Sequence, residues 1–237
     1  MSVPQSRHTS KAYEQQLALA HGLVLQMGAR VERQTLDAVE CLSSGSAALI
    51  DQVLRHELVI NSLERSIDEL ASQVIARRQP AGNDLRLLTA VLKATTDLER
   101  VGDEAKKIAL QARKARAEGG LRLPRTGEVR RMAQLALGML RHALDAFERL
   151  DLESTADVVR RDADVNDAFR GILRQLILTM IEDPRTISAG LDLLLVAKAL
   201  ERIGDHAKNI AGHAIYAVKG ADVRHATLAE IEQELGS

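Results

Sequence analysis

Apolar positions return every three or four residues along most of this chain, and long helices are what that spacing predicts. A first helix is expected from Tyr13 to about Leu42, with Val24, Gly28, Val31, Thr35, Ala38 and Leu42 on its inner seam. Ser43-Ser-Gly-Ser46 then offers a stop and an N-cap. A second helix follows from about Ala47 to Arg78, with Val53, Ile60, Leu63, Ile67, Leu70 and Val74 inward. Gln79-Pro-Ala-Gly-Asn-Asp84 reads as a turn whose Asp84 caps a third helix, Leu85 to about Ala117. Its seam is Leu88, Val91, Thr95, Leu98, Gly102, Ala105 and Ala109. Glu118-Gly-Gly and Leu123-Pro-Arg-Thr-Gly127 interrupt the periodicity and mark the best boundary between two units.

After the break the pattern starts again. Leu98-Glu-Arg-Val-Gly-Asp-Glu-Ala-Lys-Lys-Ile-Ala109 returns as Leu200-Glu-Arg-Ile-Gly-Asp-His-Ala-Lys-Asn-Ile-Ala211, and Glu201 lies 102 residues after Glu99. Weaker echoes join residues 36–42 to 144–150, and 55–61 to 160–166. Asp183-Pro184 turns the chain into the last long helix, which ends near Lys219-Gly220. No strand pattern occurs. The expected class is all-α: two tandem three-helix bundles related by internal duplication, over 12–120 and 121–220, each up-down-up because its loops are short. Residues 1–11 read as a loose tail, and 221–237 as a second tail with a short helix from Thr227 to Leu235.

Composition narrows the function classes. The 237 residues carry 32 basic and 33 acidic side chains, so no electrostatic footprint for nucleic acid exists, and 2% aromatics leave few stacking platforms. With 46% hydrophobic residues but no Trp, the core is expected to be Leu, Ile, Val and Ala. The lone Cys41 cannot form an internal disulfide and reads as a small buried residue. Met1 to Lys11 has no apolar signal region, and the apolar run Leu191 to Leu200 is broken by Asp192 and Lys198, so a soluble, cytoplasmic protein is expected.

The duplicated motif carries the candidate chemistry. Glu99 and Asp103, like Glu201 and Asp205, are i,i+4 neighbours whose like charges cost a few tenths of a kcal/mol, and the glycine between them costs up to about 1 more. In heptads with Leu88, Thr95, Gly102 and Ala109 at a, the acids fall at e and b, beside the seam, while Val101 and Ile108 at g tilt the apolar stripe the other way. Helix two places Glu57 and Asn61, and its repeat Asp162 and Asn166, on the same flank. Antiparallel packing would then bring oxygen donors together, a hard-cation pattern without Cys or a convergent His. The plain alternative is a solvated flank in which Glu99 pairs with Lys106 or another base. Glu64 extends the first edge where the second has Phe169, so the two edges are not equivalent. Gly102 and Gly204 serve either close helix packing or room for something bound. Arg100 and Arg202, at the outward f position, are either solvated or ion-paired, or else belong to a partner surface. His206, opposite Glu104 in the repeat, reads as a surface residue.

These motifs, with the turn Arg78-Gln-Pro-Ala-Gly-Asn-Asp-Leu-Arg86 and the closing Val218-Lys-Gly-Ala-Asp-Val-Arg-His225, resemble the PhoU family of phosphate-specific transport accessory proteins. The resemblance covers nearly the whole chain. It implies paired three-helix bundles, a homodimer, and metal at paired Glu/Asp-x-x-x-Asp motifs, with iron, zinc, manganese or magnesium as candidates and no organic cofactor. Glu99, Asp103, Glu201 and Asp205 match that motif; Asn61 and Asn166 replace its Asp with a neutral, weaker donor. The implied function is negative regulation of the phosphate-starvation (Pho) response, by contact with the ATPase of the Pst phosphate transporter and a PhoR-type histidine kinase, and restraint of uptake. A carboxylate-bridged metal enzyme is the competing class. Against it, no His has a Glu three residues before it, and no Walker motif or nucleophile elbow occurs. A purely structural helical scaffold is the third reading.

Overall fold

The computed structural model of the chain describes residues 11–117, 126–223, 229–231 and 233. Among them the long helices are α1 (Lys11–Ser44), α2 (Ala47–Arg78), α3 (Asn83–Ala117), α4 (Thr126–Arg149), α5 (Leu152–Glu182) and α6 (Ile187–Lys219), with a 3-10 turn over Pro184–Thr186. No strand occurs in the described residues. Lys11, expected in the tail, opens α1 instead. The rest of that tail lies outside the described residues, as does the expected boundary over 118–127 except for Thr126 and Gly127, which open α4 instead. Much of the expected final helix also lies outside them; of it, 229–231 are helical and Ile231 packs against Ile215 and Val223.

The helix ends follow local chemistry. Gly45, at φ 57°, closes α1, and the hydroxyl of Ser46 accepts from the Leu49 amide to open α2. Gln79 takes the left-handed conformation that ends α2, ahead of Pro80. Asp151 caps α5 through the amides of Glu153 and Ser154, and Gly220, at φ 79°, ends α6. Asp84 departs from its expected role. Helix α3 begins at Asn83, two residues earlier, so Asp84 sits in its first turn and accepts a hydrogen bond from the Tyr13 hydroxyl at 3.0 Å, tying the start of α1 to the start of α3.

Each half packs as three mutually contacting helices, but the halves are not separate bodies. The most extensive packing between any two helices is α3 against α6, and α1 also meets α4. Cross-pairs Asp97–His206, Glu104–Arg202 and Lys114–Asp192 run in opposite directions along the two helices, so α3 and α6 are antiparallel. One core cluster runs through both halves. The α3 seam is buried as expected, and burial extends past it to Ala90, Ala94, Val101 and Ile108, consistent with the close packing of α6 on α3. Phe147 and the methionines 27, 132 and 139 join the aliphatic core.

Candidate functional site

Two acidic edges and one buried polar joint hold the ionisable side chains that helix packing places together. On the first edge α2 supplies Glu57, Asn61 and Glu64, and α3 supplies Glu99 and Asp103. Glu57 is buried, 4% exposed, and its Oε2 accepts from Gln34 Nε2 of α1 at 3.0 Å. Lys106 lies 3.6 Å from Glu57 and 3.7 Å from Asp103, so it bridges α2 and α3 rather than pairing with Glu99 as its spacing suggested. Burial pushes the Glu57 carboxyl above the usual range against the Gln34 hydrogen bond and the Lys106 charge. Glu64 is raised by burial and the Asp68 charge, and Glu99 by burial and the charges of Asp103, Glu64 and Glu57.

Two buried oxygens beside these acids lack partners: Oε1 of Gln34, a fully buried residue, and Oδ1 of Asn61. Gly102 supplies the room. A Cβ there would stand 3.1 Å from Gln34 Oε1, 3.4 Å from Glu57 Oε2 and 3.5 Å from Ile60 Cδ1, so the glycine is faced by side-chain oxygens of α1 and α2. Gly204 differs, because a Cβ there meets Val165 at 3.3 Å and Met139 at 3.7 Å, and it serves close apolar packing.

The second edge gathers Asp162 and half-buried Asn166 of α5 with Glu201 and Asp205 of α6. Lys208, the repeat of Lys106, lies 3.5 Å from Asp162. Lys198 pairs with Glu201 and lies 5.5 Å from the centre of the Phe169 ring. Burial and the charges of Glu201 and Asp162 raise Asp205. Every donor on both edges apart from the lysines is an oxygen, which suits a hard cation, and the unpartnered Gln34 and Asn61 oxygens add to that set on the first edge. Among the described residues, no three Asp, Glu, His or Cys side chains are closed around one point as a metal shell.

The buried joint between the halves was not legible in the sequence. Asp97 is 6% exposed, and its Oδ1 and Oδ2 each face a histidine at 2.8 Å, Nδ1 of His206 and Nε2 of His213. Asn209 donates to Oδ1 at 3.2 Å. Burial opposes ionisation of Asp97, but the hydrogen bonds from both histidines outweigh it and hold the carboxyl well below the usual range. His206 is therefore a buried partner of the other half rather than a surface residue. Buried Glu104 accepts Lys107 at 2.9 Å and faces Arg202 at 3.3 Å, so the outward arginine of the second motif turns back to the joint. Arg100, its counterpart, stays exposed.

A PhoU domain profile matches residues 24–112 and again 129–214, one copy for each half. A phosphate-specific transport system accessory protein PhoU homolog of Burkholderia sp is 44% identical over 229 residues, 96% of this chain and 97% of that one. The chain belongs to the PhoU family. The accessory protein PhoU of Escherichia coli K12 is 34% identical over 234 residues, 99% of this chain and 96% of its own. The crystal structure of PhoU from Pseudomonas aeruginosa superposes with a TM-score of 0.84 at 41% identity, covering 88% of this chain and all of that one. The all-α tandem architecture of this PhoU-family chain is thus the family's own. No helix of the described residues is long and apolar enough to cross a membrane.

Proposed function

We propose that this protein is a negative regulator of the Pho response, a cytoplasmic adaptor that joins the ATPase of a Pst phosphate transporter to a PhoR-type histidine kinase and restrains phosphate uptake. The observation that carries the reading is end-to-end similarity to proteins named phosphate-specific transport system accessory proteins, the Burkholderia relative matching 96% of the chain. The protein acts by contact and turns over no substrate. Its contact surfaces include exposed Arg100 and an apolar stripe on α6, Ile187, Leu191 and Leu195 at i, i+4 and i+8. The stripe is 44–55% exposed, and Ile177 and Ile181 of α5 are exposed as well, which supports an apolar contact of a homodimer.

The acids belong to the same reading. Glu57, Asn61, Glu99 and Asp103 on the first edge are the residues that would hold a divalent or trivalent cation, iron, zinc, manganese or magnesium; Asp162, Asn166, Glu201 and Asp205 are their repeats, paired in part with Lys208 and Lys198. Such a cation would add positive charge beside the raised carboxyls of Glu57 and Glu99 and staple α2 to α3.

The test is alkaline phosphatase activity in phosphate-rich medium after deletion of the gene. High activity silenced by restoring the gene is the expected result. Low activity in the deletion strain, with other PhoU-family genes also removed, overturns the adaptor reading.

A further inference from the structure

The two edges arose from one repeat, yet their neighbours differ at two positions. Where the first edge has Glu64, the second has Phe169; where the first has Thr96, the second has Lys198. Thr96 is exposed and turns its hydroxyl onto the Leu92 carbonyl of its own helix, adding nothing to the edge. Lys198 instead reaches Glu201, lies over the Phe169 ring, and its charge also acts on Asp205. The first edge therefore sets Glu57, Glu64, Glu99 and Asp103, with Asp68 beyond them, against Lys106 and the exposed Arg65 and Arg100. The second sets Asp162, Glu201 and Asp205 against both Lys208 and Lys198.

A third difference lies at the back of each edge. Behind the first stands fully buried Gln34, its Oε1 without a partner and turned to the bare Cα of Gly102 between the two motif acids. Behind the second, the space at Gly204 is filled by Val165 and Met139. An uncharged buried oxygen that no protein group satisfies is a costly feature unless something else meets it. The first edge thus has the larger excess of negative charge and a spare oxygen donor, whereas on the second three carboxylates face two lysines and the space behind them is apolar.

We infer that the protein is functionally asymmetric: the first edge is its cation site, and Lys198, with Phe169 behind it, acts as a built-in cation that closes the second edge to metal. This rests on the metal reading proposed above and goes beyond it, since the resemblance alone treats the two motifs alike. A bound ion must displace Lys106 from between Glu57 and Asp103, which an ammonium at 3.6–3.7 Å from both allows. At the second edge an ion must displace two lysines and win fewer carboxylates.

The test titrates manganese(II) into the chelator-stripped full chain, read by calorimetry, by the electron paramagnetic resonance signal of free manganese, and by the thermal midpoint. Glu99→Gln with Asp103→Asn is expected to weaken binding by at least about tenfold. Glu201→Gln with Asp205→Asn is expected to leave stoichiometry and affinity unchanged. Lys198→Thr with Phe169→Glu, which writes the first edge's residues into the second, is expected to add a second binding event, and Lys198→Thr alone to begin it. Circular dichroism checks that each variant is folded. Equal losses from the two acid pairs, or no added event in either Lys198 variant, overturn the asymmetry while leaving metal binding standing. No binding by the wild-type chain in any readout overturns the metal reading itself.

Discussion

At residue scale the decisive group is Asp97, a carboxylate of α3 that accepts from three side chains of α6. Asp97→Ala leaves His206, His213 and Asn209 facing a buried void without their acceptor. The expected cost is about 3 kcal/mol of unfolding free energy, measured by urea denaturation. Asp97→Asn keeps the shape and one acceptor and costs less. The pH dependence has a definite sign. The folded-state carboxyl lies below its unfolded value, so its contribution is complete above roughly pH 4 and disappears as pH falls further. The stability gap between wild type and Asp97→Asn should therefore narrow on acidification below that point; a gap that is constant with pH would show that the ionised form is not what holds the joint. The acidic edges carry the opposite sign. Glu57, Glu99 and Asp205 are raised, so their ionisation erodes stability as pH rises through the carboxylate range.

At element scale the two motif glycines separate packing from site-making. Replacing an interior helical Gly by Ala gains about 1 kcal/mol in helix propensity. At Gly204 the new methyl crowds Val165 at 3.3 Å, a β-branched side chain with little freedom, and the gain is offset to a net change within about 1 kcal/mol. At Gly102 it meets the tips of Gln34 and Glu57, which can swing aside. Gly102→Ala is expected to raise the thermal midpoint in chelator by about 2–4 °C, while weakening manganese binding by displacing the Gln34 amide from the edge. A lowered midpoint would show that Gln34 and Glu57 are packed too tightly to yield. The sequence disclosed α2 to the residue because Ser46 and Gln79-Pro80 punctuate both ends, and it disclosed the α3 seam because seven positions there keep one period. It did not disclose Asp97, Glu104, His206 or His213, because polar residues opposite an apolar seam look like a solvent face. The one hint was Val101 and Ile108 at g, a second apolar stripe that proves fully buried. The edge acids were legible through their repetition. Gln34 was not, since a single polar residue on α1 has no pattern to mark it.

At the scale of the whole molecule, duplication did not produce two domains. Helix α3 is buried on the seam it shares with α1 and α2, and again along Ala90, Ala94, Asp97, Val101, Glu104 and Ile108, which α6 covers. Three carboxylates of that contact, Asp97, Glu104 and Asp192, are buried and each meets a base of the other half. Separating the halves would expose both the apolar surface and these half-satisfied charges, so neither half has a comfortable state of its own. The chain is expected to unfold in one cooperative step, with calorimetric and van't Hoff enthalpies in agreement. An isolated first half, residues 11–117, is expected to associate or to remain partly unfolded, judged by sedimentation and by amide-proton dispersion. A monomeric, cooperatively folded half would show that the α3–α6 joint is an ordinary domain contact. That outcome would also loosen the link between the edges, since Arg202 lies one residue beyond Glu201 yet reaches Glu104, one residue beyond Asp103. In the intact molecule that ion pair makes the two motifs physical neighbours. A cation at the first edge would act on a helix that packs against both α2 and α6, and a shift of α3 would reach the apolar stripe that α6 presents.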